Sequence, residues 1–350
     1  MLKVYANTLE TTQLADIGSR AARAEKMGYW GMHVPDAIHD GLLLSTLALN
    51  ATENLVVGTS VMVAFPRSPM ITAIAAWDLQ RMSGGRFELG LGTQIKANIE
   101  KRYSARWDSP VPQLREYMQA IKAIHHSFQT GEKLDFEGDH YTLTKLQPFF
   151  NPGPIDAPPV PVFAGAVGPA MTRMVGKIAD GAITHPTNTA PEYLEQVYWP
   201  RLREGLNAAG RGEERFDLVV GPLCATGPTE EAVDAEWERL RGMLAFLYST
   251  PAYWPSLELY GWKDKGEQLL ELSRQGKWQE MAAVVTDEVM DKVVPRGTYD
   301  QIANIFMQRY GELTDRVLFP MPENPENDEA VSDVIRQLRA TSSHEAHEGA

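Results

Sequence analysis

The sequence predicts a single α/β domain, a (β/α)8 TIM barrel with insertions, and three observations carry that prediction. Short runs rich in β-branched and aromatic residues alternate with longer segments of helical period, the pattern of βα units around a parallel sheet. The strand candidates number eight, which is the closing number for this barrel. The length of 350 residues exceeds most single domains, but α/β barrels of roughly 200 to 400 residues are ordinary.

The strands are expected at residues 2–6, 29–34, 55–61, 87–92, 160–164, 181–184, 216–225 and 316–320. Residues 12–27 place Leu14, Ile17, Ala21, Ala24 and Met27 on one helical stripe, which Gly28 ends. Residues 69–82 open with Pro69 in the first helical turn and stop before Ser83-Gly84-Gly85. Residues 116–128, 169–178, 191–209, 229–247 and 299–310 read likewise, and 328–340 form the last helix, closing over the first strand. Three connections exceed ordinary barrel loops: 93–112, the proline-rich 131–159, and 250–297 with helical pieces at 265–275 and 278–292. Loops of that length in a compact domain are usually functional. The expected organisation is one barrel over residues 1–340 carrying an insertion at about 250–297, with a disordered polar tail at 341–350.

Composition narrows the function class. With 43% hydrophobic and 23% charged residues, the chain is globular rather than disordered or membrane-embedded. No stretch approaches the roughly 18 to 20 apolar residues of a spanning helix, and the N-terminal segment lacks the basic and apolar pattern of a signal peptide. The lone Cys224 cannot form an internal disulfide, which suits a reducing cytoplasm. A net charge of −13 argues against nucleic acid, because phosphate neutralisation needs clustered Lys and Arg.

Most motifs fail on chemistry. His344 and His347 are one residue short of the HExxH spacing and lie in the tail. His125 and His126 point about 100° apart on a helix, so they cannot share a metal face. Gly58–Met62 lacks the final glycine of a nucleophile elbow, and Gly90-Leu91-Gly92 lacks the third glycine of a dinucleotide fingerprint. Only Asp36 is placed for carboxylate chemistry, too few for a glycosidase. No metal site is expected. What remains converges at the strand ends: residues 35–40 after strand two, 58–69 after strand three, 92–98 after strand four, 164–169 before a helix start, and His185 after strand six. The helix start suits a phosphate, since its first N–H groups lack intrahelical partners.

These segments resemble the luciferase-like monooxygenase family, within its coenzyme F420-dependent oxidoreductase branch. The matching pieces are Gly58–Val61 with Arg67-Ser68-Pro69, SGGRFELGLG at 83–92, Ala164–Pro169, Ala179-Asp180-Gly181 and Asp315-Arg316-Val317. The resemblance implies a barrel of the bacterial luciferase-like type, a homodimer, and a deazaflavin or flavin with its ring deep in the barrel. It implies a cis peptide at Ser60–Val61 behind the ring, and contacts to the ring and its chain from Thr93, Gln94 and Asn98. Gly165, Ala166, Val167, Gly168 and Pro169 would hold the phosphate, and His185 completes the cofactor-binding set. Lys96, Arg102, Arg173 and Lys177 are candidates for the anionic tail, while Asp36 or His39 would relay a proton.

Three departures matter. Many relatives follow the strand-two aspartate with histidine, where this chain has Ala37; the sugar-phosphate dehydrogenases carry glutamate and lysine where Ile95 and Asn188 stand here. That argues against glucose-6-phosphate. The aromatics Phe246, Tyr248, Tyr253, Trp254, Tyr260 and Trp262 in and beside the insertion fit an apolar small-molecule substrate. The expected activity is hydride transfer between F420 and an apolar carbonyl, alcohol, imine or activated alkene. The alternatives are an FMN-dependent two-component monooxygenase using oxygen and a non-catalytic flavin-binding relative.

Overall fold

The computed structural model describes residues 1–8 and 12–340. Eight parallel strands close into a barrel: β1 (Lys3–Asn7), β2 (Gly31–Val34), β3 (Val56–Thr59), β4 (Phe87–Gly92), β5 (Val162–Gly165), β6 (Gly181–Ile183), β7 (Asp217–Val220) and β8 (Arg316–Leu318). Pairing of β1 with β8 and of β3 with β4 completes the ring. Around it stand α1 (Ile17–Lys26), α2 (Gly41–Asn50), α3 (Pro69–Ser83), α4 (Pro110–Thr130), α5 (Pro169–Ile178) and α6 (Trp199–Ala208). The (β/α)8 prediction holds.

Local departures have local causes. The strand expected over 216–225 stops at Val220, because Pro222 has no N–H for a ladder; Ala225–Gly227 instead pairs with Arg296–Thr298 in a separate two-stranded sheet. The expected strand over 55–61 breaks at Ser60–Val61, and Met62–Val63 resumes pairing along β4. Helix α2 carried no periodic signal, since the apolar residues of GLLLSTLALN lie all round the helix; its usable cue is Asp40, whose carboxylate caps the N–H groups of Leu42 and Leu43. The helix expected over 191–209 widens into a π segment at Leu194–Tyr198, just before Pro200, which offers no N–H to the Gln196 carbonyl.

The barrel interior is layered. At the strand starts, Arg316 donates to Glu88 Oε1 (2.7 Å), the Tyr5 hydroxyl (2.6 Å) and Asp217 Oδ2 (2.5 Å), and its guanidinium lies 5.2 Å from the Phe163 ring centre. His33 packs beside Tyr5, with ring centres 4.8 Å apart. Above this charged floor, Phe163, Ile183 and Val219 form an apolar layer joined by Val61 and Leu318.

The long excursion begins earlier than the sequence placed it. Helix α7 (Glu230–Tyr248) does not join the barrel wall. Its buried face, including Trp237, Leu240 and Leu244, makes a second core with Leu257, Leu269, Met281 and Met290. The wall position before β8 falls to α8 (Ile302–Tyr310), whose Phe306 and Tyr310 belong to the main core. The last helix, α9 (Asp328–Ala340), packs against α8 and β1, and its Asp328 pairs with Arg23. The expected tail, with His344 and His347, lies outside the described residues. Among the described residues no helix is long and apolar enough to cross a membrane.

Candidate functional site

The C-terminal ends of the strands gather the candidate residues. Beyond β3 the Ser60–Val61 peptide bond is cis, at the position the resemblance implied. Ser60 N–H donates to the Val34 carbonyl at 2.8 Å, tying this bend to the end of β2. The Val61 side chain then rises between two glycines. A Cβ on Gly92 would lie 2.4 Å from Val61 Cγ2, and one on Gly165 would lie 3.4 Å from Cγ1. Gly90, one inward position below Gly92, leaves room for the Thr59 carbonyl, which a Cβ would meet at 2.0 Å. These glycines in FELGLG therefore let the bend of β3 press against β4 and leave a low apolar shelf at the rim.

One flank of the shelf is polar. Gln94 follows β4 with φ 59°, in the left-handed region that non-glycine residues seldom occupy. Its Oε1 accepts from Ile95 N–H (3.0 Å) and Asn98 Nδ2 (3.2 Å), and the Thr93 hydroxyl donates to the Gln94 carbonyl (3.1 Å). Thr93, Gln94 and Asn98 thus form one hydrogen-bonded unit. On the other flank, Gly165–Gly168 leads into α5. Ala166 N–H is used by the Ile183 carbonyl, Pro169 has no N–H, and no side chain caps the helix. The first-turn N–H groups of Ala170 and Met171 remain for a ligand anion.

Asp36 is occupied. Its side chain, 5% exposed, accepts from Arg67 (2.7 and 3.2 Å), Val63 N–H (2.9 Å) and Gly41 N–H (3.2 Å). Arg67 also reaches Asp40 at 2.7 Å. Burial works against the Arg67 charge, yet the two carboxylates hold it above its ordinary value. Arg102 donates to the Ala37 carbonyl, so residues 35–40 are fastened from two sides. His39 stands apart: its Nε2 is buried without a partner, and it lines a small cavity with Thr8, whose hydroxyl is also unpartnered. The tail cations are dispersed, with Lys96 beside Glu100 (3.7 Å) and Arg173 beside Glu204 (3.3 Å).

His185 lies beyond β6, its ring stacked on Tyr253 with centres 4.0 Å apart and planes 10° apart. Burial pushes its imidazole down to about 4. Of the excursion's aromatics, Tyr253 is thus the one against a candidate residue. Tyr248 and Trp254 are buried, Tyr260 and Trp262 stack on each other beside Glu192, and Phe246 faces solvent near Trp278. Sequence reasoning missed Arg67 as the clamp on Asp36, although the motif containing it was noticed. It also passed over Thr8, which has no sequence signal beyond its place after β1.

A (β/α)8 barrel thus gathers a shelf, a polar flank and an uncapped helix N-terminus at its strand ends, the rim where barrels of this kind carry their ligand sites. The model of the luciferase-like monooxygenase family matches residues 3–316, and the chain belongs to that family. It is 40% identical over 306 residues to the uncharacterized protein Rv1360 of Mycobacterium tuberculosis, covering 87% of this chain and 90% of that one. It is 31% identical over 284 residues to the F420-dependent glucose-6-phosphate dehydrogenase of Nakamurella multipartita, covering 78% and 77%. Among solved structures, the coenzyme F420-dependent tetrahydromethanopterin reductase of Methanopyrus kandleri superposes with a TM-score of 0.79 at 21% identity, over 97% and 99% of the two chains.

Proposed function

We propose that this protein is an F420-dependent oxidoreductase that moves a hydride between the deazaflavin and an apolar small molecule. The observation that carries this is the Val61 shelf between Gly92 and Gly165, flanked by the Thr93–Gln94–Asn98 unit and the uncapped start of α5. Support also comes from the named F420 enzyme at 31% identity. When bound, the deazaflavin supplies hydride donation or acceptance at its C5.

The chain's own part is placement. Val61 backs the ring, Ser60 anchors the bend behind it, and Thr93, Gln94 and Asn98 orient its chain. Gly165, Ala166, Val167, Gly168 and Pro169 shape the approach to the phosphate, which the N–H groups at the start of α5 bind. Asp36, with both oxygens engaged, positions the Val63 and Arg67 segment rather than moving protons. His39, the other candidate relay, has its Nε2 buried in the separate small cavity beside Thr8, so a proton reaches the shelf from it only if that cavity opens. Ile95 and Asn188 supply no charge for a sugar phosphate, which directs the substrate toward apolar compounds.

The test is fluorescence-quenching titration of the protein with F420 and, separately, with FMN. Submicromolar F420 binding with FMN at least tenfold weaker is the expected result. The reverse order moves the protein to the oxygen-using FMN class, and binding of neither leaves a barrel without redox function.

We also assign a homodimer. The outward side of α3 presents Ile71 (63% exposed), Ile74 (40%) and Met82 (50%), with Leu43 of α2 (47%) nearby in the sequence of wall helices. Exposed apolar side chains gathered on neighbouring outer helices suit a face shared with a second copy of the chain. Ile71→Glu with Ile74→Glu should turn a dimer into a monomer in sedimentation velocity; an unchanged mass would place the interface elsewhere.

A further inference from the structure

His185 continues β6 in an extended conformation, φ −83° and ψ 145°. Side chains alternate along a strand, so His185 falls on the same inward side as Ile183, about 6.6 Å further up at 3.3 Å per residue. Ile183 belongs to the apolar layer inside the barrel. The imidazole therefore stands above Ile183, Val61 and Leu318, at the height of the mouth.

Its tautomer is set by its neighbours. The Thr187 N–H points at Nδ1 (3.4 Å), and the Thr187 hydroxyl lies 2.8 Å from the same nitrogen. A backbone N–H only donates, so Nδ1 is the acceptor and the ring proton sits on Nε2. Nε2 has no protein partner and, unlike the orphaned nitrogens of His33 and His39, is not sealed from the surface. Burial keeps the ring neutral, with its imidazole pushed down to about 4.

Its orientation is set by the excursion. Tyr253 stacks on one face. The segment carrying Tyr253 is bolted to the same turn, because the Thr187 carbonyl accepts from both the Tyr248 hydroxyl (3.1 Å) and Ser256 Oγ (2.6 Å). Trp254 Nε1 donates back to the Tyr248 carbonyl (2.6 Å), closing the clamp. A neutral ring held on one face and one edge presents a single donor over an apolar layer.

We propose that His185 is the substrate-orienting donor, its Nε2–H binding the lone oxygen of a ketone or of the corresponding secondary alcohol. This rests on the oxidoreductase reading above and narrows its substrate class, because in a ketone the acceptor is borne by the reacting carbon, whereas an activated alkene carries its acceptor only on the activating group. It also moves His185 from the cofactor contacts to the substrate contacts. Tyr253, Thr187 and the second core behind them act through His185 as positioning elements.

The experiment is two-bond 1H–15N spectroscopy of protein labelled with [15N]histidine, with His185 assigned by its loss in His185→Phe or, if that variant does not fold, in His185→Gln. The expected spectrum is the Nε2–H tautomer. Cyclohexanone, 2-octanone and acetophenone should shift the His185 Nε2 signal, and methylenecyclohexane, a close match to cyclohexanone without the oxygen, should not. His185→Phe keeps the stack and should weaken cyclohexanone about tenfold, as loss of one hydrogen bond does, with F420 affinity unchanged within about twofold. His185→Gln, which restores an amide donor, should recover part of the loss. An Nδ1–H tautomer, equal shifts from ketone and hydrocarbon, no oxygen-dependent shift with any of the ketones, or unchanged ketone affinity in both variants overturns the assignment. A ketone-specific shift in a protein that fails to bind F420 removes the coenzyme reading and leaves the donor. F420 binding without such a shift does the opposite.

Discussion

Replacing Arg316 by methionine is expected to lower the free energy of unfolding by roughly 3 to 5 kcal/mol, the usual cost of removing one partner from a buried ion pair. The Arg316 side chain is 7% exposed and that of Glu88 10%, so solvent screens their attraction little. Without the guanidinium, Glu88 retains only the Tyr5 hydroxyl at 3.4 Å, and Asp217 loses its contact at 2.5 Å. Urea denaturation reads the effect as a lower midpoint at unchanged slope. Combining Arg316→Met with Glu88→Leu should lose less than the single change, since it removes the stranded carboxylate along with its partner. A single variant as stable as the parent would mean that the floor is hydrated and the pair contributes little.

Acidification from pH 7 to pH 5 should destabilise the fold by about 3 to 4 kcal/mol through its buried His33 and His125. Burial pushes His33 down to about 3 and His125 to about 4, against 6.5 in the unfolded chain. The unfolded state therefore takes up these protons first as pH falls below 6.5, and the folded state takes them up only near pH 3 to 4. Stability from these groups is complete above pH 6.5 and is lost progressively down to that range. At pH 5 each histidine accounts for about 2 kcal/mol, from roughly 1.36 kcal/mol per pH unit. Urea midpoints at half-unit steps of pH measure the slope. His125→Gln should reduce it by close to one proton, because an amide can still meet the Ala73 carbonyl that His125 Nε2 now reaches at 3.0 Å. A flat profile between pH 6.5 and 5 would show that these imidazoles are accessible to protons in the folded state.

Much of the architecture was legible because barrel strands and amphipathic helices write their period into the chain. FELGLG at β4 and the proline-started α3 and α5 emerge with nearly the expected bounds. Failures came where that period is absent or shared. The apolar residues of α2 lie all round the helix and leave no stripe to read. Helix α7 has the pattern of a wall helix, and only its burial against Leu269, Met281 and Met290 reveals another partner. A stripe specifies that a face is covered and says nothing of what covers it.

The candidate site divides in the same way. Which residue types stand at the strand ends follows from sequence order, since each β-strand delivers its last residues to one rim of the barrel. The resemblance added the cis bend at Ser60–Val61. What each side chain does there depended on neighbours distant along the chain. Asp36 is read differently once Arg67 and Val63 are seen to fill both its oxygens, 27 to 31 residues away. His185 gains a fixed tautomer from Thr187, two residues on, and a fixed plane from Tyr253, which only the folded excursion brings to it. Sequence alone determined the barrel, its family likeness and the list of rim residues, because these rest on local period and chain order. The tertiary structure decided which rim groups are already engaged and which stay open, because hydrogen bonds are met by partners that distance along the chain does not reveal.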